Sequence, residues 1–145
     1  MQKEKYLVSA CLVGVPCRRN GKAKTTPEIK TLYEQGQAIP VCPEMLAWLW
    51  VPRTPCEGGW EGVVGKDRKD YTELFKWGAE KTLEIAKKNG VHKAILKSKS
   101  PSCWCGYIYD KTFSDAVMEG DGMTTHLLKQ NGVEVMTEKE YLQNK

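Results

Sequence analysis

Four short apolar runs, at residues 6–10, 38–41, 91–96 and 133–136, alternate along this chain with segments whose apolar residues recur at helical spacing. That alternation narrows the possible folds more than any other feature. Strands of a parallel sheet are buried on both faces and read as unbroken apolar runs, and each needs a crossover helix to reach the next. The first helical segment opens at Pro27, with Thr25 or Thr26 as N-cap, carries Ile29, Leu32 and Tyr33 on one side and stops at Gly36. The longest opens at residues 70–72 and presents Leu74, Phe75, Gly78, Ala79, Leu83 and Ala86 on one face. Its other face carries Glu80, Lys81, Glu84, Lys87 and Lys88, and Asn89-Gly90 ends it. A third begins at residues 121–124 and runs through Leu127 and Leu128 to Asn131-Gly132, and Thr137 to Glu140 reads as a capping box opening a terminal helix. These patterns predict an α/β fold: a single compact domain over residues 1–145, with a mainly parallel, Rossmann-like sheet and helices on both faces.

Two stretches escape this pattern. Residues 43–65 contain Pro52, Pro55, Gly58, Gly59 and Gly62 together with Trp48, Trp50 and Trp60, and read as a long aromatic loop folded over a site. Residues 107–110 read as a short extended piece.

At 41% hydrophobic and 28% charged residues the composition is that of a globular chain, not a disordered one. No apolar run approaches the roughly 20 residues that a membrane helix needs. The charged residues 1–5 and the short run behind them do not resemble a signal peptide, so a cytoplasmic location with reduced thiols is expected. The net charge of +4 comes from lysines interleaved with glutamates, and only residues 93–99 and Arg18-Arg19 concentrate basic charge. That is too little clustering for a nucleic-acid-binding surface. The expected partner is a small molecule, with neither nucleic acid nor membrane, and the chain is expected as a monomer or small homo-oligomer.

Six cysteines are present, and Cys11, Cys42 and Cys103 stand at or shortly after the C-terminal ends of apolar runs. In open parallel sheets ligands bind in the crevice beyond those ends. Thiolates suit soft metals and iron–sulfur clusters, and three of them leave one metal position open. Cys17, Cys56 and Cys105 complete the set, with no C-x-x-C pair among them, which weakens zinc-ribbon, thioredoxin-like and ferredoxin-type readings. A single cysteine at a strand end is equally well a small buried hydrophobe. Glu44, two residues after Cys42, is a candidate proton carrier whose affinity for a proton burial would raise. Ser9, Ser100 and Ser102 place hydroxyls beside cysteines, where they can bind a carbonyl, relay a proton or cap a turn.

Taken in order, Ser9-Ala10-Cys11-Leu12-Val13-Gly14, Cys42-Pro43-Glu44, Pro52-Arg53-Thr54-Pro55, Ser100-Pro101-Ser102-Cys103 and Gly120-Asp121-Gly122-Met123-Thr124 resemble the signatures of the DUF523 family. Arg18-Arg19-Asn20-Gly21 and Tyr109-Asp110-Lys111-Thr112-Phe113-Ser114 resemble its spacer elements. Members with an assigned activity are thiouracil desulfidases, which replace the sulfur of 2-thiouracil by oxygen with a [4Fe-4S] cluster. The resemblance implies that Cys11, Cys42 and Cys103 ligate such a cluster and that its fourth iron binds the substrate sulfur. It also implies that Glu44 is the acid/base for the attacking water and that Ser102 or Ser100 assists. No net electron transfer is required.

The chain departs from the family pattern where Trp104 and Cys105 intervene before Gly106, where Cys56 precedes Glu57, and where Met45-Leu46-Ala47-Trp48 follows the second signature. Arg53 is the leading basic candidate for a substrate oxygen or a local carboxylate, and Arg18 the second. Trp48 is a candidate stacking partner for a planar substrate ring, Asp121 reads as an N-cap, and His92 and His126 are too isolated for a metal site. Two other classes compete with an enzyme. One is a sulfur or metal carrier in which Cys105 completes four-cysteine coordination, and the other a small-molecule-binding module whose thiols bind zinc or nothing.

Overall fold

The structure, a computed structural model, describes residues 4–49 and 51–144; Trp50 therefore lies outside the described residues. Strands β1 (Tyr6–Ser9), β2 (Ala38–Val41), β5 (Lys93–Leu96) and β8 (Glu134–Thr137) form a four-stranded sheet in the order β2-β1-β5-β8. Every pairing in it is parallel. Helices α1 (Pro27–Glu34), α3 (Thr72–Lys88), α4 (Met123–Gln130) and α5 (Glu138–Gln143) fall where the periodicity predicts them. The capping box of Thr137 and Glu140 is formed in both directions.

Alternation along the strands decides which helix covers which face. Leu7, Val41, Ala94 and Leu96 pack with Ala86 of α3 and Leu128 of α4. Val8, Ala38 and Ile95 pack on the other side with Ile29 of α1, and Tyr141 of α5 joins that layer. Neighbouring strand residues such as Leu7 and Val8, or Ala94, Ile95 and Leu96, are therefore all fully buried. This explains why the strands read as unbroken apolar runs rather than alternating ones.

From β1 the chain crosses to β2 on one side, whereas the next parallel strand, β5, pairs on the other side of β1. The strand order thus reverses at β1, and a crevice opens at the C-terminal ends of β1 and β5. Each strand end is followed by a different local device. A 3₁₀ turn (Ala10–Val13) follows β1, the four-residue helix α2 (Pro43–Leu46) follows β2, and an irregular loop follows β5.

The stretch read as an aromatic loop is more ordered than that reading. It contains α2 and an antiparallel hairpin, β3 (Cys56–Gly59) with β4 (Gly62–Gly65). Glycines fill half of these strands, so no apolar alternation announces them. A second hairpin pairs β6 (Tyr107–Tyr109) with β7 (Val117–Glu119), of which only β6 was expected. Among the described residues no helix is long and apolar enough to cross a membrane.

Candidate active site

One cavity of about 780 Å³ opens over the C-terminal ends of β1, β2 and β5. Cys11, Cys42 and Cys103 all line it, as do Cys17 and Cys56. Cys11 and Cys103 are 5% and 3% exposed, and all six cysteines are free thiols. Cys42 Sγ lies 3.8 Å from the Cys17 carbonyl oxygen, and the Cys11 and Cys42 thiols are the neighbours that most affect the Cys17 thiol. Cys17 thus stands beside Cys11 and Cys42 at the same cavity.

At Cys17, Cys42, Cys56 and Cys103 the surroundings on balance favour the neutral thiol. The neighbouring Cys11 thiol, with burial adding to it, pushes the Cys17 thiol up to about 11. The neighbouring Cys17 thiol, then burial, raises the Cys42 thiol far above its ordinary value. Burial first and the Glu44 carboxylate second raise the Cys103 thiol likewise. Burial pushes Cys56 up to about 11. Among the described residues no three His, Cys, Asp or Glu side chains converge as a single metal ion would require.

The loop that carries Cys103 is held by the start of α4. Backbone N–H groups of Met123 and Thr124 donate to the carbonyls of Pro101 and Ser102 at 2.9 and 2.8 Å, and Thr125 Oγ1 donates to the Cys103 carbonyl at 2.7 Å. Gly122 lies so close that a Cβ there would stand 2.5 Å from the Ser102 carbonyl carbon. The free donors of a helix N-terminus are thus consumed by the cysteine loop. This corrects the N-cap assignment: Gly122 is the N-cap, and Asp121 instead accepts from the Gly106 N–H and pairs with Lys129 at 3.1 Å.

Glu44 lies in the first turn of α2, two residues after Cys42, with 13% of its side chain exposed. Arg53 Nη2 is 3.5 Å from Glu44 Oε2, so the carboxylate is partnered and not isolated. The same guanidinium donates to the carbonyls of Cys17 at 2.8 Å and Leu49 at 3.0 Å. Arg53 is therefore a clasp that ties three segments of the cavity wall to the local carboxylate. Among the described residues Glu44 Oε1 has no hydrogen-bond partner and is not buried, and Glu44 lines the cavity.

The three serines separate clearly. Ser9 lines the cavity, accepts from the Lys97 N–H at 2.8 Å and, like Ser100, borders the Cys103 thiol. Ser100 also lines it, and its Oγ accepts from the N–H groups of Ser102 and Cys103, both at 3.1 Å. Ser102 does not reach the cavity. It is fully buried with its hydroxyl 2.6 Å from that of Thr124, because the turn that turns Cys103 inward turns Ser102 toward α4.

Trp48 is likewise displaced from its expected role. It is 65% exposed and absent from the cavity wall, and its positive φ of 65° belongs to the turn that ends α2. Trp60 stacks on His126 with ring centroids 4.2 Å apart, also outside the cavity. The aromatic residues that do line it are Tyr71, Phe75, Tyr109 and Phe113. For the last two, the only sequence signal was the spacer element at residues 109–114. Cys105 points the other way, its sulfur 3.6 Å from the Val135 carbonyl, which removes it as a fourth ligand at this site. Arg18 lines the cavity. Lys97 does so as well and was not singled out. Its ammonium pairs at 3.2 Å with the buried Glu138, which also binds the Ser98 N–H at 2.8 Å.

A family model described as 2-thiouracil desulfurase matches residues 6–140. The protein YbbK of Bacillus subtilis (strain 168), described as uncharacterized, is 40% identical over 144 residues, covering 92% of this chain and 95% of its own. A solved structure described as the [4Fe-4S]-dependent thiouracil desulfidase TudS superimposes with a TM-score of 0.91 at 39% identity, over 97% of this chain and 95% of that one.

Proposed function

Because the chain belongs to the 2-thiouracil desulfurase family, we propose that it is an iron–sulfur-dependent desulfidase that replaces sulfur by oxygen in 2-thiouracil or a related thiolated compound. The observation that carries this reading is the single cavity in which Cys11, Cys42 and Cys103 meet Glu44 at the reversal of strand order. A set of soft, buried sulfur donors with room in front of it fits an iron–sulfur cluster, whose irons are gripped separately by thiolates. Cys11, Cys42 and Cys103 would hold it. When bound, the cluster supplies Lewis acidity and a site for the departing sulfur.

The chain's own residues account for the rest. Glu44 Oε1 takes a proton from the attacking water, while Arg53 holds the other oxygen in place. Ser100 Oγ accepts from the backbone N–H groups of Ser102 and Cys103 and borders the Cys103 thiol, so its proton can be given to that sulfur or to a group bound in the cavity. Ser9 orients Cys103. The enzyme needs no redox partner, and a cytoplasmic monomer or small homo-oligomer, one domain over residues 1–145, is its proposed working form.

One observation favours a second reading. Cys17, which lines the same cavity beside Cys11 and Cys42, is a fourth thiol that could complete coordination in a non-catalytic carrier. A single experiment separates the two: anaerobic purification, iron and sulfide analysis, and a 2-thiouracil turnover assay on the same sample. About four irons per chain with uracil and sulfide released supports the enzyme. Iron without turnover on any thiolated pyrimidine supports the carrier, and absence of iron after reconstitution refutes both.

A further inference from the structure

The tip of the β6–β7 hairpin, residues 110–116, has no role in the chemistry above, yet it contributes to the cavity wall. Phe113 and Asp115 line the cavity, and Phe113 also borders a smaller crevice of about 380 Å³ beside β4. The tip is thus a thin partition and not part of a packed core. Its backbone is unusual. Lys111, Phe113 and Asp115 have φ of 75°, 57° and 64°, a left-handed conformation costly for residues with a Cβ and most so for a bulky ring.

Several contacts hold that conformation. Asp110 accepts from the Thr112 N–H at 3.0 Å and from its hydroxyl, which also meets Ser114 Oγ at 2.6 Å. The stem of Lys111 lies across the glycines of the β3–β4 hairpin, where a Cβ at Gly58 would stand 3.0 Å from Lys111 Cε. The central contact comes from outside the tip: Phe113 N–H donates to Glu57 Oε1 at 3.0 Å.

Glu57 itself calls for a reason. It is 8% exposed and lines the cavity, yet among the described residues it makes no ion pair. Among the described residues its other oxygen, Oε2, has no hydrogen-bond partner and is not buried, and Glu57 borders the cavity. A carboxylate with one oxygen fixed and the other so placed is an acceptor without a donor.

The geometry points to Glu57 and Phe113 as the recognition wall for the substrate ring. The ring lies against Phe113, and an N–H of the heterocyclic thioamide donates to Glu57 Oε2. The ligand class is accordingly a planar heterocycle that carries an N–H beside its carbonyl or thiocarbonyl carbon. This assignment rests on the desulfidase reading for the identity of the ring, but binding does not require turnover.

The test is calorimetric titration of uracil into the anaerobic iron-loaded protein, with iron content and KM for 2-thiouracil measured on the same preparations. Phe113→Ala should weaken uracil binding and raise KM roughly 5- to 100-fold, with wild-type iron. Phe113→Tyr should restore both. Glu57→Gln can still accept the Phe113 N–H but turns an amide into the cavity, and should weaken binding about tenfold or more. Uracil affinities within twofold of wild type in both Phe113→Ala and Glu57→Gln overturn the wall, as do losses that appear only with loss of iron. A wild-type protein that binds uracil without releasing sulfide from 2-thiouracil refutes the desulfidase reading and leaves the wall standing. Sulfide release with affinities indifferent to both residues does the reverse.

Discussion

Gly78 connects the packing of the fold to the chemistry of the site, and its replacement by alanine tests that connection. Gly78 is buried in the middle of α3 and faces α2, the short helix that carries Glu44 and begins at Cys42. A Cβ at this position would stand 2.2 Å from the Pro43 carbonyl oxygen and 2.9 Å from its carbon. Carbon–oxygen contacts settle at about 3.3–3.6 Å, so the two helices would have to separate by roughly 1 Å. In an exposed helix the same change stabilises by about 1 kcal/mol. Here overpacking against backbone costs about 1–3 kcal/mol, and the obstacle is not a side chain that can rotate away. Net destabilisation of about 1–2 kcal/mol is expected, read from the urea midpoint at unchanged slope.

The larger effect should fall on catalysis. A displacement of about 1 Å at a reacting group costs on the order of 10²-fold in rate. Glu80, on the exposed face of the same helix, supplies the control, since Glu80→Ala should change neither property. If Gly78→Ala is as stable as the wild type and turns over at the wild-type rate, α3 does not set the position of Glu44 and the reasoning is wrong.

Three further expectations follow from the site. Glu44→Gln should retain iron while losing about 10²–10⁴-fold in turnover, and a wild-type rate would remove Glu44 from the proton transfer. Cys11→Ala, Cys42→Ala and Cys103→Ala should each abolish iron binding, whereas Cys17→Ser should keep both iron and turnover; iron loss in Cys17→Ser would instead make it a ligand and favour the carrier. Cys56, whose thiol burial pushes up to about 11, should be alkylated by iodoacetamide at a rate that rises roughly tenfold per pH unit to beyond pH 10, because only the thiolate reacts. The folded state favours the neutral thiol, so the stability Cys56 contributes is complete below its ordinary value near 9 and is lost as pH rises through about 11. Peptide mapping that shows its alkylation levelling off near pH 9 would contradict the burial argument.

Local sequence determined the four parallel strands and the four longer helices, because each announces itself within a window of about ten residues through periodicity and end signals. It also determined that Cys11, Cys42 and Cys103 follow strand ends, which in a parallel sheet is enough to bring them to one edge. The glycine-rich hairpin of Cys56–Gly59 and Gly62–Gly65 left no such trace, since its pairing replaces the apolar alternation by which strands are recognised. Nor could spacing tell Ser100 from Ser102. One turn separates their directions, and the donors at the start of α4 decide which hydroxyl faces the cavity. Only the tertiary structure joined Glu44 to Arg53 and Glu57 to the Phe113 N–H, and put Tyr71, Phe75, Tyr109 and Phe113 instead of Trp48 in the cavity wall. Secondary structure depends on neighbours along the chain, but these contacts depend on how crossovers and hairpins return it, and residues 57 and 113 meet only once β3 has packed on β6.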